Sequence, residues 1–303
     1  MTSSRRLRLV LGALILAAGV SGCMGGNSDG PAAGAEKRSP LRGVIVYWSE
    51  SPWPSIWAVR ADGSQPRRIL RNRQNAKRPR LSPDREWVAF DGAPPGKPVI
   101  GDFDIQVVRT DGTGLRTLTD SVQWDVDPQW SPDGRSLSFT RMPPGADWLR
   151  AWIWTMRRDG SGLRRLARGQ FARWSPDGTE LVLDAPTDDS HGDLFVVEAD
   201  GSGSRLLLAS PELDQPAGWS PDGKKILFTR FNDRAGRDTD VYVMNADGTG
   251  IQRLGPGLAG GWSPDGTSIV YADSYPGRLL VMDADGSHKR TISGAIGAEP
   301  HWG

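Results

Sequence analysis

Residues 130–134 read Trp-Ser-Pro-Asp-Gly, and this stretch decides the fold because it is repeated along the chain. Further copies occur at residues 174–178, 219–223 and 262–266, in a weaker form at 81–85, and truncated at 302–303. The first residues of neighbouring copies are 40 to 49 residues apart. That period is typical of the four-stranded blades of a β-propeller, in which each repeat is one antiparallel sheet.

A second motif, Asp-Gly, falls between successive copies of the first. Its six occurrences are Asp62-Gly63, Asp111-Gly112, Asp159-Gly160, Asp200-Gly201, Asp247-Gly248 and Asp285-Gly286. Asp-Gly between two extended runs is a hairpin signal, because glycine accepts the positive φ that such turns require. Each repeat therefore predicts four strands with alternating side chains, the first ending at the motif tryptophan and the third ending at Asp-Gly.

The two ends of the repeat region complement each other. Residues 299–302 supply only a first strand, whereas residues 44–47 and 56–59, with the turn at 62–63, supply only the other three. Joined, they make a sixth blade and close the ring without an exposed edge strand. We therefore predict an all-β fold over residues 43–303, a six-bladed β-propeller whose last blade combines N- and C-terminal strands.

Through the Trp-Ser-Pro-Asp-Gly motif and the Asp-Gly hairpin in each blade, the repeats resemble the WD-like propeller repeats of the TolB family. The resemblance covers residues 43–303, and both motifs recur in register. It implies a propeller that serves as a binding scaffold. Members of that family also carry an α/β domain before the propeller, whereas here residues 23–42 stand in that place.

The first residues form a secretory signal. Arg5, Arg6 and Arg8 precede an apolar run over 9–20. That run is too short to span a hydrocarbon core of about 30 Å, and it predicts a signal peptide over 1–22. The residues before Cys23 resemble a lipobox, which implies that Cys23 is lipidated and anchors the protein to membrane lipid. The alternative is a secretory signal with an incidental cysteine.

Composition limits the possible partners. Residues 24–42 are rich in Gly, Ala, Ser and Pro, so we expect residues 23–42 to form a flexible tether. Without the three arginines of the signal, 34 basic residues face 36 acidic ones, a net charge of −2. This balance favours no nucleic-acid partner and indicates no basic surface. We expect an extracytoplasmic monomer at the cell membrane or envelope, without a cofactor.

The topology separates the two faces of the propeller. Both short turn motifs lie on one face, and the longer connections, which differ from blade to blade, lie on the other. Recognition tends to lie on variable loops held by a rigid scaffold. Four tryptophans of the long connections are candidate binding residues: Trp48, Trp53, Trp124 and Trp148. The alternative is that these side chains only cover the tops of the blades.

Polar candidates accompany these tryptophans. Residues 188–193 hold three carboxylates and a histidine, so Asp188 and His191 join the candidate binding face. Oxygen ligands with one imidazole could hold a divalent metal, but a solvated loop is the simpler interpretation and no metal is assigned. Asp127, Glu299 and His301 are predicted to border the mouth of the central channel. No catalytic residues are assigned.

These observations predict a membrane-anchored binding or scaffold propeller that recognises a protein or peptide at the cell envelope. One alternative is a carbohydrate-binding lipoprotein that uses the loop tryptophans. Another is a propeller lyase or hydrolase acting at the channel mouth. The sequence contains no Gly-x-Ser-x-Gly nucleophile elbow and no His-Glu-x-x-His metal motif, so an enzyme would have to assemble its site from scattered loop residues.

Overall fold

A computed structural model describes residues 43–50, 55–70, 75–94, 103–144, 148–187, 192–233, 236 and 238–303. Within these ranges the chain forms 23 β-strands and one short 3₁₀ helix, η1 (Trp148–Arg150). In this part of the chain there is no helix with the length and apolar character needed to cross a membrane. The prediction of an all-β fold is confirmed.

The strands are numbered along the chain. The first three are β1 (Val44–Ser49), β2 (Ser55–Arg60) and β3 (Arg67–Leu70). The next sheet contains β4 (Lys77–Leu81), β5 (Trp87–Gly92), β6 (Asp104–Arg109) and β7 (Arg116–Thr117). It is followed by a sheet of β8 (Trp124–Trp130), β9 (Ser136–Met142), β10 (Trp152–Arg157) and β11 (Arg164–Arg168).

The second half of the chain repeats this plan. One sheet contains β12 (Gln170–Trp174), β13 (Glu180–Pro186), β14 (Gly192–Glu198) and β15 (Arg205–Leu208). The next contains β16 (Leu213–Trp219), β17 (Lys225–Phe231), β18 (Thr239–Asn245) and β19 (Gln252–Pro256). The last strands are β20 (Leu258–Trp262), β21 (Ser268–Ala272), β22 (Gly277–Asp283) and β23 (Arg290–Trp302).

The ring closes through the long strand β23. Its first part pairs with β22, for example at Ile296, and its last part pairs with β1, where Trp302 lies opposite Ile45. The two terminal blades therefore form one seven-stranded sheet, β20-β21-β22-β23-β1-β2-β3. Together with the four four-stranded sheets, this sheet makes six blades. Blade 1 consists of the end of β23 with β1–β3, and blades 2 to 5 are the four-stranded sheets in chain order. Blade 6 consists of β20–β22 with the start of β23. The predicted closure is confirmed, and the shared strand is the one difference.

Apolar side chains fill all six contacts between neighbouring blades. One cluster joins Val46 and Ile56 of blade 1 to Phe90 of blade 2, and corresponding clusters follow around the ring to blades 6 and 1. Period-two alternation puts one set of side chains on each face of a blade, so both faces of every sheet are buried. The molecule is therefore held together by a ring of equivalent interfaces and has no single central core.

The turn after each motif tryptophan is built by its serine and aspartate. In blade 3, the Ser131 hydroxyl donates to Asp133 Oδ1 at 2.6 Å and accepts from Ser136 N at 3.0 Å, while Arg135 N donates to Asp133. Such side-chain bonds to nearby backbone stabilise tight turns. The same serine–aspartate contact recurs at residues 82, 175, 220 and 263. The motif therefore specifies the turn locally in each blade.

The Asp-Gly turns also meet the neighbouring blade. Gly201 has φ of +92°, and a Cβ there would lie 2.5 Å from Leu166 O of blade 3. Gly248 repeats this arrangement against Leu207 O of blade 4, at 2.4 Å. Any side chain at these positions would collide with backbone. Glycine is thus required both by the positive φ and by the close approach of the next blade.

The first strand of each blade lines the central channel and carries a β-bulge just before its motif residue. Four bulge residues have positive φ near 50°: Arg78, Asp127, Phe171 and Glu299. A bulge places two residues opposite one and redirects their side chains. This local distortion positions the residues described next.

Candidate functional site

Two positions on each first strand form the wall of the channel, three residues and one residue before the motif tryptophan. At the first position the six blades carry, in chain order, Arg78, Asp127, Phe171, Pro216, Ala259 and Glu299. At the second they carry Arg80, Gln129, Arg173, Gly218, Gly261 and His301. Blades 1–4 thus supply a charged arc, and blades 5 and 6 supply a small-residue arc. The three predicted channel residues, Asp127, Glu299 and His301, all lie in the charged arc.

Asp127 is the anion at the centre of the charged arc. Its carboxylate accepts from Arg173 Nη1 at 2.6 Å and Nη2 at 3.3 Å, and from Arg80 Nη2 at 3.3 Å. Gln129 Nε2 lies 3.4 Å from the same carboxylate. All three charged groups are almost completely buried. Two guanidinium groups therefore share one carboxylate between blades 2, 3 and 4.

A second network links blades 1 and 2. Arg78 contacts Asp91 Oδ2 at 3.0 Å and Glu299 Oε1 at 3.3 Å. Glu299 also accepts from the Trp48 indole N–H at 2.8 Å, and Asp91 accepts from Asp127 N at 3.0 Å. The Asp91 contact joins this network to the first one. Around the channel, three guanidinium groups thus face three carboxylates.

Burial perturbs the proton affinities of these groups. Burial and the neighbouring Arg173 lower the pKa of Arg80 to about 10. Burial, together with Arg80 and Arg173, lowers the pKa of His301 to about 3, so the imidazole is neutral at physiological pH. Its Nδ1 accepts from Leu81 N at 3.3 Å. Burial raises the pKa of Asp91 to about 6 despite the attraction of Arg78. Burial and a second cation thus weaken the hold of Arg80 on its proton, although the cations and anions of the charged arc balance in number.

The small-residue arc borders open space. A Cβ built at Gly218 would meet no atom within 4 Å, and one at Gly261 would meet only Trp302 N, at 4.0 Å. Arg173 Nε donates to Ala217 O at 3.3 Å, so its guanidinium reaches the beginning of this arc. The channel therefore presents buried cations on one side and unfilled volume on the other.

The tryptophans predicted on the long connections contribute mainly to packing. Trp48 lies in β1 and Trp148 in η1, with exposed fractions of 0% and 5%, which agrees with the alternative that these side chains cover the tops of the blades. Trp148 stacks on Phe171, with ring centroids 5.2 Å apart, and half-buried Trp124 meets Phe103 edge to face at 5.5 Å. Trp48 instead orients Glu299. Trp124 and Trp148 thus belong to one apolar cluster, which also contains Phe103 and Phe171.

Several candidates lie outside the described residues: Cys23, Trp53, Asp188 and His191. Elsewhere in the described ranges, no group of three or more histidine, cysteine, aspartate or glutamate side chains is arranged to hold a metal ion.

Sequence reasoning missed the arginines of the site, Arg78, Arg80 and Arg173. A signal for them was present, because each occupies one of the two offsets from the motif residue that also hold Asp127, Glu299 and His301. Aligning the six repeats at the tryptophan would have shown the charged arc. It would not have shown which arginine pairs with which acid.

Comparison with known proteins agrees with this architecture. Residues 168–303 match the TolB beta propeller domain family. The protein is a β-propeller whose repeats resemble those of TolB. TolB from Acinetobacter baumannii has a similar structure (TM-score 0.71, 22% identity), covering 86% of this chain and 66% of that one. A putative TolB from Agrobacterium tumefaciens has a TM-score of 0.61 at 18% identity, covering 86% of this chain and 91% of that one.

A sequence relative is an uncharacterized peptidase, YuxL, from Bacillus subtilis (strain 168). It is 29% identical over 120 residues, which are 36% of this chain and 18% of that protein. The TolB-like propeller thus matches a small part of the peptidase. The likeness to the solved structures concerns the fold.

Proposed function

We propose that this TolB-like propeller is a lipid-anchored, extracytoplasmic binding module, whose channel receives an acidic group of a protein or peptide partner. The observation that carries the proposal is the sharing of Asp127 by Arg80 and Arg173, beside the open volume at Gly218. An acidic side chain or a C-terminal carboxylate would give Arg80 and Arg173, which share one carboxylate, a second anionic partner. Guanidinium groups favour such carboxylates because their paired N–H donors match the two oxygens.

The depressed pKa of Arg80 supports an anionic ligand over a neutral one. A guanidinium holds its proton less strongly only where burial and nearby cations outweigh nearby anions, as Arg173 and burial do here. A ligand carboxylate beside Arg80 and Arg173 would reverse this imbalance. The neutral His301 adds no competing charge, and Gly218 and Gly261 leave room for a chain to enter.

The experiment is affinity capture with the full-length protein from detergent-solubilised membranes of the source bacterium. Wild type is compared with Gly218→Trp, which fills the open side of the channel, and with Ser204→Trp, which adds the same group at an exposed position. We expect wild type and Ser204→Trp to retain the same protein in stoichiometric amount. Gly218→Trp should lose it while keeping the wild-type unfolding temperature.

A second measurement tests the acidic character of the recognised group. Peptides covering the captured partner are titrated in pairs, with each acidic residue or C-terminal carboxylate replaced by its amide. One amide should weaken binding by about tenfold, as expected for loss of one charge-assisted contact. Equal capture by Gly218→Trp, or amide peptides that all bind as tightly as the acids, would exclude the channel as the binding site.

Membrane anchoring through Cys23 is tested separately. Wild type should partition into the detergent phase of a temperature-induced phase separation, because two or more acyl chains give stable membrane association. Cys23→Ala should move to the aqueous phase, whereas the neighbouring Ser21→Ala should not. Detergent-phase recovery of Cys23→Ala equal to wild type would disprove lipidation at this position.

A further inference from the structure

The groove between blades 2 and 3 contains a cavity of about 410 Å³, remote from the channel wall. Six of the residues that line it are Gln123, Arg150, Trp152, Trp154, Arg165 and Arg168. Trp154 packs against the apolar cluster shared with blade 2, and Trp152, two residues along β10, lies on the same sheet face. The volume is within the range of small-molecule sites.

The cavity exists because blade 2 has a short outer strand. Strand β7 contains only two residues, whereas β3, β11, β15 and β19 contain four or five. The chain then leaves the sheet at Leu118 and passes Gln123 before β8 begins. As a result, the outer part of the blade 3 face is not covered by a neighbouring strand, and Trp152 and Trp154 remain partly exposed.

The walls of this cavity are basic. Among the described lining residues there are four arginines and no carboxylate. Arg141 is already neutralised by Asp125, in a two-pronged contact of 2.6 and 2.7 Å. Arg168 uses one nitrogen to bond Leu149 O at 3.2 Å, and its other donors are uncommitted. Arg165 and Arg168 thus give this groove positive charge, although the chain as a whole is almost neutral.

Arg165 is the strongest candidate for binding a ligand. Its guanidinium lies 4.2 Å from the centroid of the Trp152 ring and makes no hydrogen bond or ion pair within the described part of the chain. Stacking on an indole holds the guanidinium plane while its N–H edge stays available. Arg165 and Arg168 therefore place two sets of fixed donors at the same opening.

We propose that this groove binds an anionic saccharide unit, a sugar ring that carries a carboxylate or a phosphate. The N–H forks of Arg165 and Arg168 take the anionic group, as guanidinium does with planar carboxylates and phosphates. The apolar face of the sugar ring, which is formed by its C–H groups, packs on the exposed part of Trp152. Gln123 supplies a side-chain amide that bonds the sugar hydroxyls. The site is independent of the channel and of the proposed protein partner.

The test is calorimetric titration of the full-length protein in detergent with glucuronate, glucose 6-phosphate, glucose and inorganic phosphate. Glucuronate and glucose 6-phosphate should bind at least about tenfold more tightly than glucose or phosphate, because only they engage both the arginines and the indole. Arg165→Gln/Arg168→Gln should weaken their binding by about tenfold or more. Saturation-transfer NMR should show contact between the sugar protons and the protein in wild type but not in the double variant.

Arg164→Gln is the matched control. It removes one positive charge from the same strand, compared with two in the double variant, but Arg164 points towards blade 4, where it donates to Ala199 O and Asp200 O. Binding by this variant should stay within about twofold of wild type. The proposal is overturned if Arg164→Gln has the same effect as the double variant, since binding would then reflect diffuse charge. It is also overturned if phosphate binds as tightly as glucose 6-phosphate, or if glucose matches glucuronate.

Discussion

The charged arc and the small-residue arc of the channel are built from the same repeat, but their side chains differ in how strongly they depend on neighbouring groups. In blades 1–4 the wall positions hold groups such as Arg80, Asp127 and Arg173, which are buried and depend on one another. In blades 5 and 6 the same positions hold residues such as Gly218 and Gly261, which contact little. The turns and interfaces hold the blades in place on both sides. The channel wall is therefore free to diversify.

One hydrogen bond recurs between neighbouring blades, and it is absent between blades 4 and 5, where the small-residue arc begins. The side chain ten residues after the motif position accepts from the first wall residue of the next blade. Asp91 accepts from Asp127 N, Thr140 from Phe171 N and Thr229 from Ala259 N, at 3.0 to 3.1 Å. In blade 4 the side chain is Asp184, and the next wall residue is Pro216, which has no N–H.

The consequence of that proline is an unsatisfied buried acid. Asp184 Oδ1 has no hydrogen-bond partner among the described residues, although Oδ2 accepts from Gln170 Nε2 at 2.6 Å. Burial, together with the nearby Asp214 and Asp193, raises the pKa of Asp184 to about 7 against the effect of the Gln170 hydrogen bond. The small-residue arc thus begins at a break in the bonds that join the blades.

The largest expected effect comes from neutralising the shared anion. Asp127→Asn leaves Arg80 and Arg173 buried without their carboxylate, and we expect a loss of about 3–5 kcal/mol in the free energy of unfolding. Gly218→Ala, in the opposite arc, should change it by less than about 0.5 kcal/mol, because the new methyl meets open space. Chemical denaturation measures both. Equal losses in the two variants would abolish the distinction between the arcs.

The pH dependence of the stability of Asp184→Asn tests the missing hydrogen bond between blades 4 and 5. The folded pKa of about 7 lies above that of a carboxyl in an unfolded chain, so the stabilising protonated form is lost as pH rises through about 7. The loss begins near pH 4, where the carboxyl of the unfolded chain ionises, so the variant should match wild type near pH 4 and exceed its stability by about 4 kcal/mol near pH 8. Denaturation curves at both values provide the comparison. A stability difference between the variant and wild type that is the same at both pH values would mean that Asp184 does not titrate in this range.

Thr140→Val removes one of the intact bonds between blades. The change keeps the side-chain shape but leaves Phe171 N–H without its acceptor, which should cost about 1 kcal/mol. Hydrogen exchange of the Phe171 amide should become faster. Thr140→Ser keeps the hydroxyl and should protect that amide as wild type does. Unchanged exchange in the valine variant would show that the bond adds nothing between blades 3 and 4.

The smallest expected effect comes from restoring the missing donor. Pro216→Ala introduces an N–H at the position from which Asp127, Phe171 and Ala259 donate, so the pKa of Asp184 should fall towards its ordinary value. The stability change at neutral pH should stay within about 1 kcal/mol, because the new hydrogen bond is offset by greater freedom of the unfolded chain. NMR titration of the Asp184 carboxyl measures the shift. An unchanged pKa would assign the raised value to burial alone.

Much of the fold could be predicted because its determinants are local. The Ser131–Asp133 turn and the Asp-Gly hairpins act within a few residues, so they can be read from the sequence as it stands. Closure of the ring through Trp302 and Ile45 followed from counting strands. The wall residues Asp127, Glu299 and His301 were found because they immediately precede motif positions.

The burial of Trp48 and Trp148 could not be predicted from such patterns, because it depends on side chains distant in the sequence, such as Glu299 beside Trp48 and Phe171 beside Trp148. The basic groove of blade 3 was hidden for a similar reason. A net charge near zero averages over the whole chain, whereas Arg165 and Arg168 are exposed together only because β7 is short.

The sequence by itself determined the number of blades, their order and the way the ring closes, because turn chemistry and strand periodicity act at short range. Only the tertiary structure decided that Arg80 and Arg173 share Asp127, that Asp184 meets a proline, and that the groove beside Trp152 stays open. Those outcomes depend on groups from different blades meeting in space, and electrostatic energies depend on such distances and on burial.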